Sequence, residues 1–251
     1  MARRPFQGVI QIVRFNRHFY IAAAAALLAV VVLNRYMVHP FLFYINAAAL
    51  LGMCLTMLSL LGSWYVYDLS GLYRLEWLEL PGASGSRMVN IHAGFDETSA
   101  LLRRRYPGAR LEVLDFYDPA KHTEISVRRA RKAYSPFPGT QAVPASALPL
   151  GKNAAERIFV LFAAHEIRDE KERSAFFKEL GRVLEQDGKI IVAEHLRDVP
   201  NALLYTIGSF HFYPESSWRR VFDAAGLEVL ERKKVTPFIT IFTLGKHQLT
   251  Y

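Results

Sequence analysis

Two stretches without any charged side chain dominate the first third of the chain, residues 19–33 and 36–67. A helix needs about 20 apolar residues to cross the hydrocarbon core of a bilayer. The second stretch reaches that length unaided. The first reaches it with help from Phe15 and residues 36–38, provided that Arg35 extends its head group to the interface. Asn34, Arg35, His39 and Pro40 break the apolar pattern between them, so the pair predicts a helical hairpin. Ala22 to Ala26 on one arm, and Ala47 to Ala49 with Gly52 on the other, are small enough for two helices to approach closely.

Beyond residue 86 the pattern changes to short apolar runs that alternate with amphipathic ones. Strands are expected at residues 88–92, 111–114, 140–143, 158–163, 189–193, 227–230 and 238–244, and helices at 98–105, 122–133, 169–184 and 218–225. Phe176, Phe177, Leu180, Val183 and Leu184 recur on one face of the third helix. Ser216 or Ser217 is placed to cap the last helix, and Gly188 and Gly226 read as stops. Strands joined by crossover helices predict an α/β fold, a doubly wound (Rossmann-like), mostly parallel seven-stranded sheet with an antiparallel edge. The chain thus divides into a basic amphipathic segment (1–18), a transmembrane helical hairpin (19–67), a juxtamembrane connector (68–86) and an α/β domain (87–251). Leu72, Leu75, Trp77, Leu78 and Leu80 make the connector too apolar for a solvated linker, so it is expected against the membrane or the domain. The break in the pattern falls at residues 81–86.

Charge changes the picture only once it is located. The net charge is +8, and residues 1–67 contribute +5 of it through Arg3, Arg4, Arg14, Arg17 and Arg35 with no acid, leaving +3 for the rest. A nearly balanced domain without basic clusters interleaved with aromatics does not predict a nucleic-acid binder. The arginines instead suit anionic lipid and the positive-inside rule, placing both termini and the α/β domain on the cytoplasmic side of the inner membrane. A cleaved signal peptide is the rival reading of the amino terminus, disfavoured because a longer apolar segment follows closely. Cys54 is the single cysteine and excludes a disulfide framework.

Candidate chemistry gathers where apolar strands end. The run Ile158-Phe-Val-Leu-Phe-Ala-Ala ends in His165, Glu166 and Arg168, and Ile190-Ile-Val-Ala ends in Glu194 and His195. In open α/β sheets that edge is where ligands bind. His165, Glu194 and His195 could meet there as metal ligands, but no closely spaced ligand motif supports this and no metal is expected. Glu166 and Arg168 read as structural ion-pair partners. The aromatic stretch 201–213, with Tyr205, Phe210, His211, Phe212 and Tyr213, reads as a lid or a buried cluster.

The stretches Ala164-His-Glu-Ile-Arg-Asp-Glu-Lys-Glu-Arg173, Phe177-Lys-Glu-Leu-Gly-Arg-Val-Leu184, Gly188-Lys-Ile-Ile-Val-Ala-Glu-His195 and Trp218-Arg-Arg-Val-Phe-Asp-Ala-Ala-Gly226 together resemble the class I S-adenosylmethionine-dependent methyltransferases. The resemblance covers roughly residues 85–251. It implies an S-adenosylmethionine site built from Gly94, Asp96, Asp115 and Phe116. Asp115, 21 residues after Gly94, stands where the family holds the ribose hydroxyls, and Phe116 or Tyr117 could cover the adenine. It also implies that His165 is the catalytic base toward a hydroxyl acceptor. The chain departs from the family at the cofactor loop: His92 occupies the acidic position, and Asp96 and Thr98 replace two of three glycines. The acid that often precedes the third loop is missing from Pro144-Ala-Ser-Ala-Leu-Pro149.

Two functions are compatible with these residues. One is a membrane-anchored methyltransferase acting on a lipophilic or membrane-associated small molecule. The other is a methyltransferase-like chain without catalysis, an accessory or structural subunit of a membrane protein complex. A nicotinamide-dependent oxidoreductase would need a glycine-rich phosphate turn after the first strand, and none is present.

Overall fold

The computed structural model describes residues 4–80 and 84–247. Its first helices are α1 (Gln7–Phe15), α2 (Arg17–Tyr36) and α3 (Phe41–Trp64). Their apolar side chains face outward; none of the central window of α2 or α3 is buried, and both helices are long and apolar enough to cross a membrane. The two arms are joined by a reciprocal amide pair, Asn34 Nδ2 to Asn46 Oδ1 at 2.8 Å and Asn46 Nδ2 to Asn34 Oδ1 at 2.9 Å. Each amide satisfies the other between two otherwise apolar helix faces. The close crossing expected at the small residues is not found at Gly52, where an added Cβ would meet nothing within 4 Å.

The remainder alternates as expected: β1 (Arg87–His92), α4 (Ser99–Arg105), β2 (Arg110–Asp115), α5 (Ile125–Ala133), β3 (Gln141–Ala142), β4 (Ala155–Leu161), α6 (Glu170–Val183), β5 (Leu184–His195), α7 (Val199–Tyr205), α8 (Glu215–Ala224), β6 (Leu227–Thr236) and β7 (Ile239–Lys246). The seven strands form one sheet in the order β3-β2-β1-β4-β5-β7-β6. All neighbours are parallel except β7, which pairs antiparallel with both β5 and β6. Three local expectations fail. Helix α6 ends at Val183, within a residue of the expected end, but Gly188 does not stop it and β5 begins at Leu184 rather than at 189. Gly188 is instead a close-approach residue, since a Cβ there would lie 3.1 Å from the Glu156 carbonyl. Helix α8 starts after Pro214, and neither Ser216 nor Ser217 caps it.

Alternation along the strands separates two cores. Ile158, Val160, Ile190, Val192, Phe242 and Leu244 face α6 and α8, where Phe176, Phe177, Leu180, Trp218 and Phe222 are fully buried. Phe159, Leu161, Ile191, Ala193, Ile239 and Ile241 face the other way. That second face is covered by α4, by Val66 at the end of the hairpin and by the connector, through Leu72, Leu75 and Leu78. The connector is therefore part of the core, while the break expected at residues 81–86 lies partly outside the described residues. Helix α1 is also docked, its first turn capped by Asp68, which accepts from Gly8 N at 2.8 Å and Val9 N at 3.0 Å. Gln11 and Phe15 are its buried face, and Phe6, Ile10 and Val13 its exposed one.

Leu72→Ala or Leu78→Ala should cost about 2–5 kcal/mol, the range for a buried leucine truncated in a core. Urea unfolding of the detergent-solubilised chain measures this, and a midpoint unchanged in both variants would return the connector to the status of a linker.

Candidate active site at the carboxyl edge of the sheet

The tips of β1, β2, β4 and β5 converge on one rim. At the end of β1, Gly94 adopts φ +84°, a conformation that disfavours a side chain. Its N–H donates to Asp115 Oδ1 across the tips of β1 and β2 at 2.8 Å, and Tyr117 N donates to the same oxygen at 3.0 Å. The second oxygen, Oδ2, is held by the Arg131 guanidinium of α5. Arg131 also lies 4.8 Å above the Tyr117 ring, and that ring covers Gly94 so closely that an added Cβ would meet it at 2.9 Å.

The loop between β1 and α4 is closed by its own side chains where glycines were expected. Asp96 Oδ1 accepts from Thr98 N and Ser99 N, both at 2.9 Å, and Asn90 Nδ2 donates to Thr98 Oγ1 at 3.0 Å and Ser99 Oγ at 2.7 Å. Half of Asp96 is thus spent on starting α4. Its Oδ2 is buried and has no hydrogen-bond partner among the described residues, nor does either ring nitrogen of His92. Burial pushes the His92 pKa below its ordinary value against the pull of Asp96 and Asp115, so its imidazole is neutral. Phe116 is turned into the core against Phe176, 5.2 Å between ring centroids, which leaves Tyr117 facing the loop.

After β4 the chain turns sharply at Phe162, φ +56°, into a short helical turn, Ala164–Glu166. His165 is fixed there by Glu194 at the tip of β5, which accepts from His165 N at 3.2 Å and faces Nδ1 at 2.7 Å. Glu166 Oε1 lies 3.3 Å from Nε2 on the other side. Burial alone would push His165 down; Glu194 and Glu166 outweigh it and raise the pKa from 6.5 to about 10. An imidazole that already carries its proton at neutral pH cannot accept another, so the base role expected of His165 does not fit its surroundings. Sequence spacing located the residue but could not register two carboxylates arriving from 1 and 29 positions away.

Glu194 and His195 do not act together. Neighbours on a strand point to opposite faces, and His195 faces the connector side, its Nε2 2.7 Å from Tyr67 Oη and its Nδ1 3.0 Å from Asn201 Oδ1. It stacks on Phe212 at 4.7 Å. The residue that joins His165 and Glu166 instead is His211, whose ring centroid is 5.3 Å from that of His165. Arg168 holds His211, 2.9 Å from its carbonyl, and reaches Glu124 at 3.5 Å. A cavity of about 270 Å³ opens here, lined by Tyr67, Tyr73, His92, Phe95, His165 and His211 among others. His92 also lines a second cavity of about 160 Å³ with Gly94, Asp96 and Arg131. Of this group the sequence did not single out Arg131; it brought Glu194 near His165 only as part of a trio with His195, not as the carboxylate that holds the ring. The strand alternation around Glu194 was the one available signal.

No family model matches the sequence, and no curated protein matches it. Solved structures do resemble the fold. Geranyl diphosphate C-methyltransferase from Streptomyces coelicolor, solved with Mg2+, geranyl diphosphate and S-adenosyl-L-homocysteine, has 13% identity and a TM-score of 0.52 over 74% of this chain and 82% of that one. An O-methyltransferase family 2 protein from Planctomyces limnophilus in complex with apigenin has 14% identity and a TM-score of 0.51 over 77% of this chain and 61% of that one. The cyclase SpnF has 16% identity and a TM-score of 0.50 over 71% of this chain and 80% of that one. The chain has the Rossmann-like fold of S-adenosylmethionine-dependent methyltransferases, with two apolar helices in front of it. A cyclase on the same fold shows that the fold does not by itself choose the reaction.

Burial pushes the His195 pKa down to about 4, against the opposing hydrogen bond that its Nδ1–H donates to Asn201 Oδ1. The unfolded chain takes up this proton near 6.5 and the folded one only near 4. Stability is therefore whole above pH 6.5 and declines as pH falls through 4. His195→Gln, which can still bond Tyr67 and Asn201, should flatten that decline in thermal midpoint; an unaltered slope would remove His195 as its source.

Proposed function

We propose that the chain is a membrane-anchored methyltransferase that uses S-adenosylmethionine to methylate a lipophilic or membrane-associated small molecule. The observation that carries this is the pairing of Gly94 N with Asp115 Oδ1, which sets a positive-φ backbone and a buried carboxylate side by side at the tips of β1 and β2. The residues fit such a cofactor. Asp115 offers a carboxylate suited to the ribose diol, and the unpartnered Asp96 Oδ2 suits a donor of the methionine end. Tyr117 and Arg131 stand in the way. The Arg131 side chain is 42% exposed, so exchanging its contact with Asp115 for two hydroxyl donors costs little. When bound, the cofactor supplies an electrophilic methyl group. The chain's contribution is to hold the acceptor in line in the 270 Å³ cavity. His92, neutral and with open ring nitrogens, receives the acceptor's proton there.

The membrane part rests on exposed apolar surface. Besides α2 and α3, the segment after β5 presents Val199, Leu203, Ile207 and Phe210 to the outside. It packs on the end of α3, Leu204 lying against Gly62. Its inner side carries His211 toward the site and packs Tyr205 and Phe212 on His195. A substrate dissolved in the bilayer would reach the cavity beneath this segment without crossing water. Arg3, Arg4, Arg14 and Arg17, ahead of the first apolar stretch, support a domain on the cytoplasmic side.

A second reading, an accessory subunit that keeps the fold without the reaction, draws on the Tyr117–Arg131 cover over Gly94. Calorimetric titration of the detergent-solubilised chain with S-adenosylmethionine separates the two. One site is expected, lost in Asp115→Asn and tightened several-fold in Arg131→Ala. Silence up to millimolar cofactor in both the natural chain and Arg131→Ala would sink the enzyme reading. With binding established, His92→Asn should keep the cofactor and lower methyl transfer to a membrane extract by about 100-fold or more; full turnover would exclude His92 as proton acceptor.

A further inference from the structure

We infer that His165, Glu166 and His211 form a divalent metal site at the mouth of the 270 Å³ cavity, suited to Zn2+ or a similar borderline ion such as Mn2+ or Fe2+. The three residues each offer one ligand atom, and these atoms lie within 4.8 Å of one another. Donors 2.0–2.1 Å from a tetrahedral ion are separated by about 3.3 Å. His165 Nε2 and Glu166 Oε1 are 3.3 Å apart. A small closure of the His211 side chain, which is 31% exposed, completes the set.

Two further observations point to a cation. Glu194, 1% exposed, faces Nδ1 of His165 at 2.7 Å. A ring N–H donated to a buried carboxylate turns the Nε2 lone pair outward and makes it a better ligand. Nε2 then faces a Glu166 oxygen at 3.3 Å, a pair of ligand atoms between which an ion would take the place of the ring proton. Charge gives the same answer. Glu166 and Glu194 are both buried against one imidazole, and a dication balances two carboxylates where the cost of leaving them unbalanced is high. His211 has its own carboxylate, Glu124, 3.4 Å from Nδ1.

Arg168 now occupies the remaining side, with its guanidinium against the His211 ring at 2.5 and 2.7 Å. It carries a positive charge where the ion's charge would be felt, and at 40% exposure it can withdraw to Glu124. Two imidazoles and a carboxylate suit zinc and its neighbours rather than magnesium or calcium. Three protein ligands leave a fourth position, which opens to the cavity and would take water or an oxygen of the bound small molecule. The inference does not rest on methyl transfer, since the ion is measured with no cofactor present.

Untagged full-length chain in detergent, stripped with a chelator and dialysed against Zn2+ or Co2+, should retain one ion per chain, and Co2+ should show the visible bands of a tetrahedral N/O site. His211→Ala, at a partly exposed position, should weaken binding at least 100-fold, and Glu166→Gln likewise. His195→Gln, which lies on the other face of the sheet, should bind as the natural chain does. Arg168→Ala should bind several-fold tighter. Failure to retain a stoichiometric ion, or equal affinity in His211→Ala with an unchanged thermal midpoint, overturns the site. Loss of S-adenosylmethionine binding with the ion retained would count against the cofactor and leave the metal standing.

Discussion

One buried carboxylate organises the rim. Glu194 accepts from the backbone N–H of His165 and faces its ring nitrogen, so it fixes both where the turn after β4 goes and which way the imidazole points. A carboxylate 1% exposed cannot remain unpaired. The turn Ala164–Glu166 is therefore tied to the tip of β5, and Glu166 and His165 are presented together to the cavity. The next residue, His195, lies on the opposite face by the two-residue period of the strand. It ties Tyr67, from the end of the apolar hairpin, to Asn201 of α7. Two consecutive residues of β5 thus hold the site on one side and the outer helices on the other.

The same period explains what could be read from the sequence. The inner strands β1, β4, β5 and β7 announced themselves as apolar runs, because both faces are buried and both cores draw on alternate residues, whereas β3 and β6 are largely exposed. The hairpin announced itself by length alone. Asp115 and Gly94 were legible through their spacing, and they do meet. What spacing could not supply was the competition for these atoms. Arg131 on Asp115, Tyr117 over Gly94 and Asp96 as the cap of α4 are local choices made by side chains far apart in sequence or too ordinary to stand out. His165 fits the same account: its position was visible, its protonation was not, because that depends on Glu194 at the end of another strand. The helix α7 was missed altogether, since Pro200 and the aromatic run mask a seven-residue element whose apolar residues point outward.

The connector makes the anchor and the α/β domain one folding problem. In a doubly wound sheet both faces need cover, and the expected cover is helices. Here one face is closed partly by Val66, Leu72, Leu75 and Leu78, which belong to the segment leaving α3. Separating the domain from the hairpin at residue 87 would uncover Met88, Phe159, Ile191 and Ile241, all buried in that second core. The geometry of the apolar hairpin is therefore transmitted to the sheet by packed side chains and not by a tether. Asp68 extends the coupling to α1, and through Phe15 to Phe95 and Tyr134 beside the cofactor loop.

This coupling bears on how the site would work. Tyr67 touches His195 at the base of α7 and also lines the cavity that holds His92 and His165. The outward residues of α7 and the segment after it, Val199, Leu203, Ile207 and Phe210, are more apolar than a water-facing lid needs to be. Under the proposed function these residues would sit in the headgroup region beside the end of α3, and the cavity beneath them would communicate with the bilayer. A bound acceptor would then exchange with the membrane while the buried carboxylates stay dry. The arrangement places the hydrophobic requirement on the outside of one short segment and the electrostatic requirement on the inside of the same segment, at His211.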